Sequence, residues 1–169
     1  MEQAIDMSDT RHDSFDDLFE ANRAIVFKVA NAYCRDADDR ADLAQEIAAQ
    51  LWRAWPGYDP QRRFSTWMYR IALNVAISFV RAAGSRRGEE AFDESLHDVA
   101  DEHGSDHEAA EHARLLEAFI ARQPPLERAL LVLYLEERSQ REIGEILGLS
   151  ETNVSTRIGR LKQRLRDEL

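Results

Sequence analysis

One cysteine, four prolines and seven glycines are few for a chain of 169 residues. A lone Cys34 excludes a disulfide framework and a Cys-based zinc site, and it fits a reducing cytoplasm. Set in the apolar run VANAYC, it reads as a small core residue. Scarce Gly and Pro leave little punctuation for hairpins, and Val/Thr alternation is sparse, so sheet is not expected. No apolar run is long. Ala129 to Leu135 falls far short of the ~20 residues that cross a bilayer, so no direct membrane insertion is expected. The N-terminus is acidic and lacks the apolar stretch of a secretory signal, which makes a cytoplasmic location the expectation. A Gly-rich phosphate loop, a nucleophile motif and an H-E-x-x-H pair are also missing. No catalytic residue, metal site or other cofactor is therefore expected.

Charge of one sign is missing from two neighbouring stretches. Residues 60–88 hold six arginines and no acid, whereas residues 89–112 hold ten acids and neither Lys nor Arg. The net charge of -10 argues against a protein that coats nucleic acid by bulk attraction. A basic island beside an acidic one points instead to separate partners for separate segments.

What is present reads as helix throughout, an all-α chain in two parts. Ser14 can cap a first helix running to near Arg35, with Phe15, Leu18, Phe19, Ile25, Val26, Val29 and Tyr33 inward. Asp36 to Asp39 restart a second helix bearing Leu43, Ile47 and Leu51 inside and Asp42, Gln45 and Glu46 on outer flanks. Pro56 to Pro60 must be loop. Ser65 can cap a third helix, Thr66 to about Ala83, with Trp67, Ile71, Val75 and Phe79 along one side. These make a bundle of about three helices over residues 14–84. Residues 85–108 read as an acidic flexible linker. Residues 109–169 read as four helices, with Leu115, Leu116, Phe119 and Ile120 facing inward in the first and Pro125 opening the second.

The last pair forms a helix-turn-helix. Ser139 and Glu142 make a capping box, Gly148 can take the left-handed stop, and Ser150 can cap the final helix. There Val154, Ile158, Leu161 and Leu165 face inward, leaving Thr152, Asn153, Ser155, Thr156, Arg157, Gly159 and Arg160 outward or on the flanks. Such a helix has the length and polarity to enter a DNA major groove; the plainer alternative is a helical hairpin with a solvated face. Upstream, YDPQRRFSTWMYRIALN mixes aromatics with arginines, a composition suited to stacking on unpaired bases and neutralising phosphates. The plainer alternative there is core aromatics beside a solvated arginine flank.

The order of Asp42-Leu43-Ala44-Gln45-Glu46, then Phe64-Ser65-Thr66-Trp67-Met68-Tyr69-Arg70-Ile71-Ala72-Leu73-Asn74, an acidic linker, Leu126-Glu127-Arg128 and a terminal helix-turn-helix resembles a bacterial RNA polymerase sigma factor of the extracytoplasmic-function (ECF) group. The resemblance implies a non-catalytic specificity subunit that binds core RNA polymerase through its β′ clamp helices and β subunit, together with promoter DNA. It implies that Asp42, Gln45 and Glu46 meet the clamp helices. The loop from Tyr58 to Ser65, with Phe64 in it, would hold a flipped base of the minus-ten element, Arg62 and Arg63 fitting phosphate contacts better than base readout. Trp67, Arg70 and Asn74 would face the opening duplex. Thr152, Asn153, Ser155, Thr156, Arg157, Gly159 and Arg160 would meet the minus-thirty-five element, where Asn153 could read an adenine edge. Thr152, Asn153, Ser155 and Gly159 depart from the family's common pattern, so no family promoter sequence transfers. An anti-sigma factor is an expected partner. The acidic linker could occupy a basic polymerase channel or serve as a tether that keeps the domains apart. His97, His103, His107 and His112 are ordinary for such a segment, and no metal is assigned to them. A DNA-binding regulator using only its helix-turn-helix is the runner-up, and a sequestering helical adaptor is a third reading.

Overall fold

The computed structural model describes residues 7–86 and 107–169, and among these described residues there are eight α-helices and one short 3-10 turn. The N-terminal group is α1 (Met7–Asn22), α2 (Ala24–Tyr33), α3 (Ala37–Ala54), the 3-10 turn Trp55–Gly57 and α4 (Phe64–Arg86). Its C-terminal counterpart is α5 (His107–Arg122), α6 (Pro125–Leu135), α7 (Gln140–Leu147) and α8 (Glu151–Glu168).

Most helix ends follow from local chemistry. Asp36 caps α3 by accepting from the backbone N–H groups of Asp38 and Asp39. Ser139 Oγ accepts from Glu142 N and Ser150 Oγ from Asn153 N, both at 3.1 Å. Each cap satisfies an N–H that the helix itself leaves orphaned. Gly148, at φ 70, ends α7 in the left-handed conformation.

Several expectations need correction. The first helix starts at Met7 rather than at Ser14 and divides at Arg23. There Asn22 Nδ2 donates to the Leu18 carbonyl at 2.9 Å, and Val26 N bonds Arg23 O only three residues back, which tightens the backbone locally. The third helix begins at Phe64, so Ser65 lies inside it, and its hydroxyl accepts from Arg138 Nη1 at 3.2 Å instead of capping. Its buried face is Met68, Tyr69, Ala72, Leu73 and Ala76, while Trp67, Ile71, Val75 and Phe79 are only partly buried. The reason is that α4 is covered from several sides, packing on α2, α3, α6 and α7. Leu115 is exposed, not inward. The expected capping box is made from one side: the Glu142 carboxylate turns to Arg63 at 3.1 Å and Arg138 at 3.7 Å.

The two helical groups are not held apart. One contiguous core runs from Phe15 through Leu43 and Leu73 to Phe119, Leu130 and Leu161. Tyr33 Oη donates to the Pro125 carbonyl at 2.7 Å, and Lys28 pairs with Glu136 at 2.7 Å. Arg128 ties the groups together at their helix ends. Its guanidinium donates to the carbonyls of Ala32 and Tyr33 at the end of α2, and to those of Ala121 and Gln123 at the end of α5. A cation is favoured at helix C-termini, where carbonyls lack partners. Burial pulls this guanidinium below its usual range, which the stacked Tyr33 ring at 5.1 Å partly offsets.

Candidate nucleic-acid interface

Asp42, Gln45 and Glu46 all stand exposed on α3, because Leu43, Ile47 and Leu51 turn the opposite side into the core. Glu46 is paired loosely with Arg53 at 3.9 Å, an exposed contact on the order of a few tenths of a kcal/mol. It also lines an open groove of about 510 Å³ between α3 and α4, whose far wall includes Ile71, Asn74 and Phe79. The groove sets the acidic edge of α3 directly beside the outer flank of α4. On that flank Arg70 and Asn74 are exposed and Trp67 is half-buried.

The loop leading into α4 is shaped by its own side chains. Asp59 Oδ1 accepts from Gln61 N at 3.0 Å, the Asx-turn that this residue type favours. Arg62 N bonds Asp59 O at 3.0 Å, and Tyr58 Oη donates to the Arg62 carbonyl at 2.7 Å. Below the loop lies an aromatic cluster. Tyr58 stacks on Trp55 (5.2 Å, 18°) and touches Trp67 (5.0 Å) and the edge of Phe64 (5.6 Å). Such pairs add about 0.5–1.5 kcal/mol each beyond area burial. Phe64, 7% exposed, is a packing residue that holds the loop from beneath. Arg62 and Arg63 are exposed at the loop's rim.

Arg63 and Ser65 also face the C-terminal helices. Arg63 pairs with Glu142, Ser65 accepts from Arg138, and the Arg138 guanidinium lies over the Tyr69 ring at 5.1 Å. Burial first, with Glu136 nearby, pushes the Tyr69 hydroxyl up to about 12. Arg138 reaches this place because Glu137 takes a left-handed φ of 56. Arg138 N then bonds Leu133 O and Glu137 N bonds Tyr134 O, a Schellman ending for α6.

On α8, Val154, Ile158 and Leu161 are buried and Leu165 partly so. Thr152, Ser155, Thr156, Gly159 and Arg160 are exposed, with Asn153 and Arg157 half-buried. Arg157 is held on two sides, donating from Nε to Asn153 Oδ1 (2.9 Å) and from Nη1 to Glu127 Oε1 (2.8 Å). Sequence reasoning assigned no contact to Glu127, Arg128 or Arg138, and no local pattern marks their distant partners. Gly144 was missed as well: a Cβ there would stand 2.5 Å from the Leu149 carbonyl oxygen. His107 and His112 are exposed near the start of α5, while His97 and His103 lie outside the described residues.

The chain is similar to known proteins in sequence and in fold. The Sigma-70 region 2 family model matches residues 18–86, and the Sigma-70 region 4 model matches residues 113–165. The ECF RNA polymerase sigma factor SigE of Mycolicibacterium smegmatis is 33% identical over 160 residues, a match covering 92% of this chain and 62% of that protein. The ECF RNA polymerase sigma factor SigW of Bacillus subtilis is 30% identical over 169 residues, covering 93% and 89%. Among solved structures, the sigma factor RpoE in complex with the anti-sigma factor NepR, from Bartonella quintana, superposes with a TM-score of 0.74 at 17% identity (91% and 95% covered). CnrH in complex with the cytosolic domain of CnrY gives 0.65 at 24% (92% and 87%). The structural likenesses speak for the fold, and the sequence matches for the family. This chain belongs to the ECF group of RNA polymerase sigma factors.

Proposed function

We propose that this sigma factor directs RNA polymerase to promoters by dividing the work among three surfaces. The carboxylates of Asp42 and Glu46, with Gln45, bind the β′ clamp helices, and a further contact is made to the β subunit. The Tyr58–Ser65 loop, with Trp67, Arg70 and Asn74, takes the minus-ten element as it melts. The outer face of α8 binds the minus-thirty-five element. The observation that carries this reading is the groove between α3 and α4, lined by Glu46 on one wall and Asn74 on the other. Polymerase and unwinding DNA would meet one rigid body there. Exposed carboxylates on a helix suit an arginine-rich partner, and a base leaving the duplex needs stacking and edge contacts to offset a cost of a few kcal/mol. As a specificity subunit, the chain contributes no catalysis.

Residues 14–84 and 109–169 would act as separate domains at the promoter, although they pack together in the free chain. Elements centred about 25 base pairs apart stand roughly 85 Å apart at about 3.4 Å per base pair. A compact chain of this length is only about 40 Å across. The contacts of Arg63 and Ser65 with Glu142 and Arg138 must therefore release on promoter engagement, the acidic segment between the groups serving as tether. Both solved relatives are complexed with a partner protein, in one case the anti-sigma factor NepR, which supports an anti-sigma partner for this chain too.

Trp67→Ala tests the melting assignment. Holoenzyme carrying it should open a duplex promoter at least about tenfold less well while binding a pre-melted template nearly normally. Equal defects on both templates would remove Trp67 from melting.

A further inference from the structure

Arg157 is the one outward residue of α8 whose guanidinium is committed on two sides within the described structure, and this settles how its neighbour presents itself. An arginine Nε can only donate, so the Asn153 amide atom facing it at 2.9 Å is the oxygen. The Asn153 Nδ2 group, with two N–H donors, is consequently the part left for a ligand. Glu127, reaching from the first turn of α6, accepts from Arg157 Nη1 at 2.8 Å and keeps the guanidinium from turning away. Both members of this ion pair are partly shielded, with side chains 34% and 21% exposed. Arg160, one turn further along, is exposed.

We propose that Glu127 is a positioning residue for upstream DNA, acting through Arg157 to present Asn153 as a donor-only reader of guanine. This rests on the assignment of α8 to duplex DNA. An asparagine reads adenine with both ends of its amide, accepting from N6 and donating to N7. Arg157 takes one of that oxygen's two lone pairs and fixes the direction of the amide, which disfavours the two-ended adenine pairing. Guanine offers N7 and O6, two acceptors side by side, which suit an amide NH₂ group. The expectation of an adenine edge, drawn from residue type alone, is thereby reversed. A second consequence concerns charge. Arg157, already neutralised by Glu127, displaces no counterion from DNA, so Arg160 rather than Arg157 carries the phosphate-dependent part of binding.

The test is a promoter library randomised across the upstream element and selected with holoenzyme containing the full chain. Wild type should show one base position with at least about fivefold preference for guanine over adenine, and that preference should vanish in Asn153→Ala. Arg157→Met, which removes the donor and frees the amide oxygen, should move that position towards adenine. Glu127→Gln, nearly isosteric, should weaken the guanine preference and steepen the salt dependence of upstream binding by about one unit of slope as Arg157 becomes free for a phosphate. Adenine at the Asn153-dependent position in wild type overturns the proposal. So does a preference unmoved by both Arg157→Met and Glu127→Gln, or an Asn153→Ala variant with unchanged base preferences. A wild-type holoenzyme with no upstream base preference at all would instead refute the assignment of α8 to duplex DNA, a distinguishable failure.

Discussion

Arg128 carries more of the architecture than any other charged side chain described. Its guanidinium serves the last carbonyls of two helices from different parts of the chain and lies against Tyr33, whose hydroxyl in turn donates to Pro125. Removing it strands carbonyls that solvent reaches poorly, and hydrogen bonds from a charged donor are worth about 1.5–3 kcal/mol. Arg128→Ala should therefore lower stability in urea unfolding by about 2–4 kcal/mol. Arg128→Lys should recover less than half of that, because a point charge cannot serve several carbonyls at fixed angles. A loss under about 0.5 kcal/mol for Arg128→Ala would show that these bonds are not what holds the helix ends. Nothing around Leu126-Glu127-Arg128 in the sequence announces this role, since each partner lies in another element. By contrast, Ser139, Ser150, Gly148 and Pro125 were legible, because a cap or a stop is a matter of a few consecutive residues.

At the scale of elements, the α7–α8 turn depends on Gly144 as much as on Gly148. Leu149 N bonds the Gly144 carbonyl at 3.0 Å while the Leu149 oxygen passes where a Cβ would stand. Gly144→Ala should cost about 1–3 kcal/mol in thermal unfolding and weaken upstream binding by tilting α8. Gly159→Ala has open space around it and should gain up to about 1 kcal/mol from helix propensity. Equal effects from the two would contradict this account of the turn. Gly144 was hidden because a glycine within an apolar helical period reads as tolerated, and its neighbour is known only once α8 folds back. The α4 face was misread for a related reason. Trp67, Ile71, Val75 and Phe79 do recur at helical spacing, yet Ala72 and Ala76 mark the side of closest approach. A helix covered from several directions has no single apolar stripe to count.

For the whole molecule, the charge blocks and the order of motifs made the family and the all-α class legible, but not the packing of one helical group on the other. That packing brings together residues far apart in the chain, among them Lys28 with Glu136 and Arg63 with Glu142, 108 and 79 residues apart. Exposed pairs of this kind contribute about 0.2–1 kcal/mol each, so the shared apolar core and the Arg128 bonds, more than these pairs, are what polymerase and DNA must overcome. Distance labels on the exposed residues Ser78 of α4 and Gln163 of α8 should report under about 40 Å in the free protein and well over about 60 Å in the promoter complex. An unchanged distance would mean that one closed body serves the promoter, which the spacing of its elements does not permit.

Whether this chain directs initiation is read by run-off transcription from a genomic promoter library with core RNA polymerase. Initiation from a discrete subset of templates is the predicted result. It should be lost when Asp42 and Glu46 are both replaced by alanine while those variants stay folded. Absence of initiation on every template, together with failure of the wild-type chain to co-purify with core enzyme, would contradict that role.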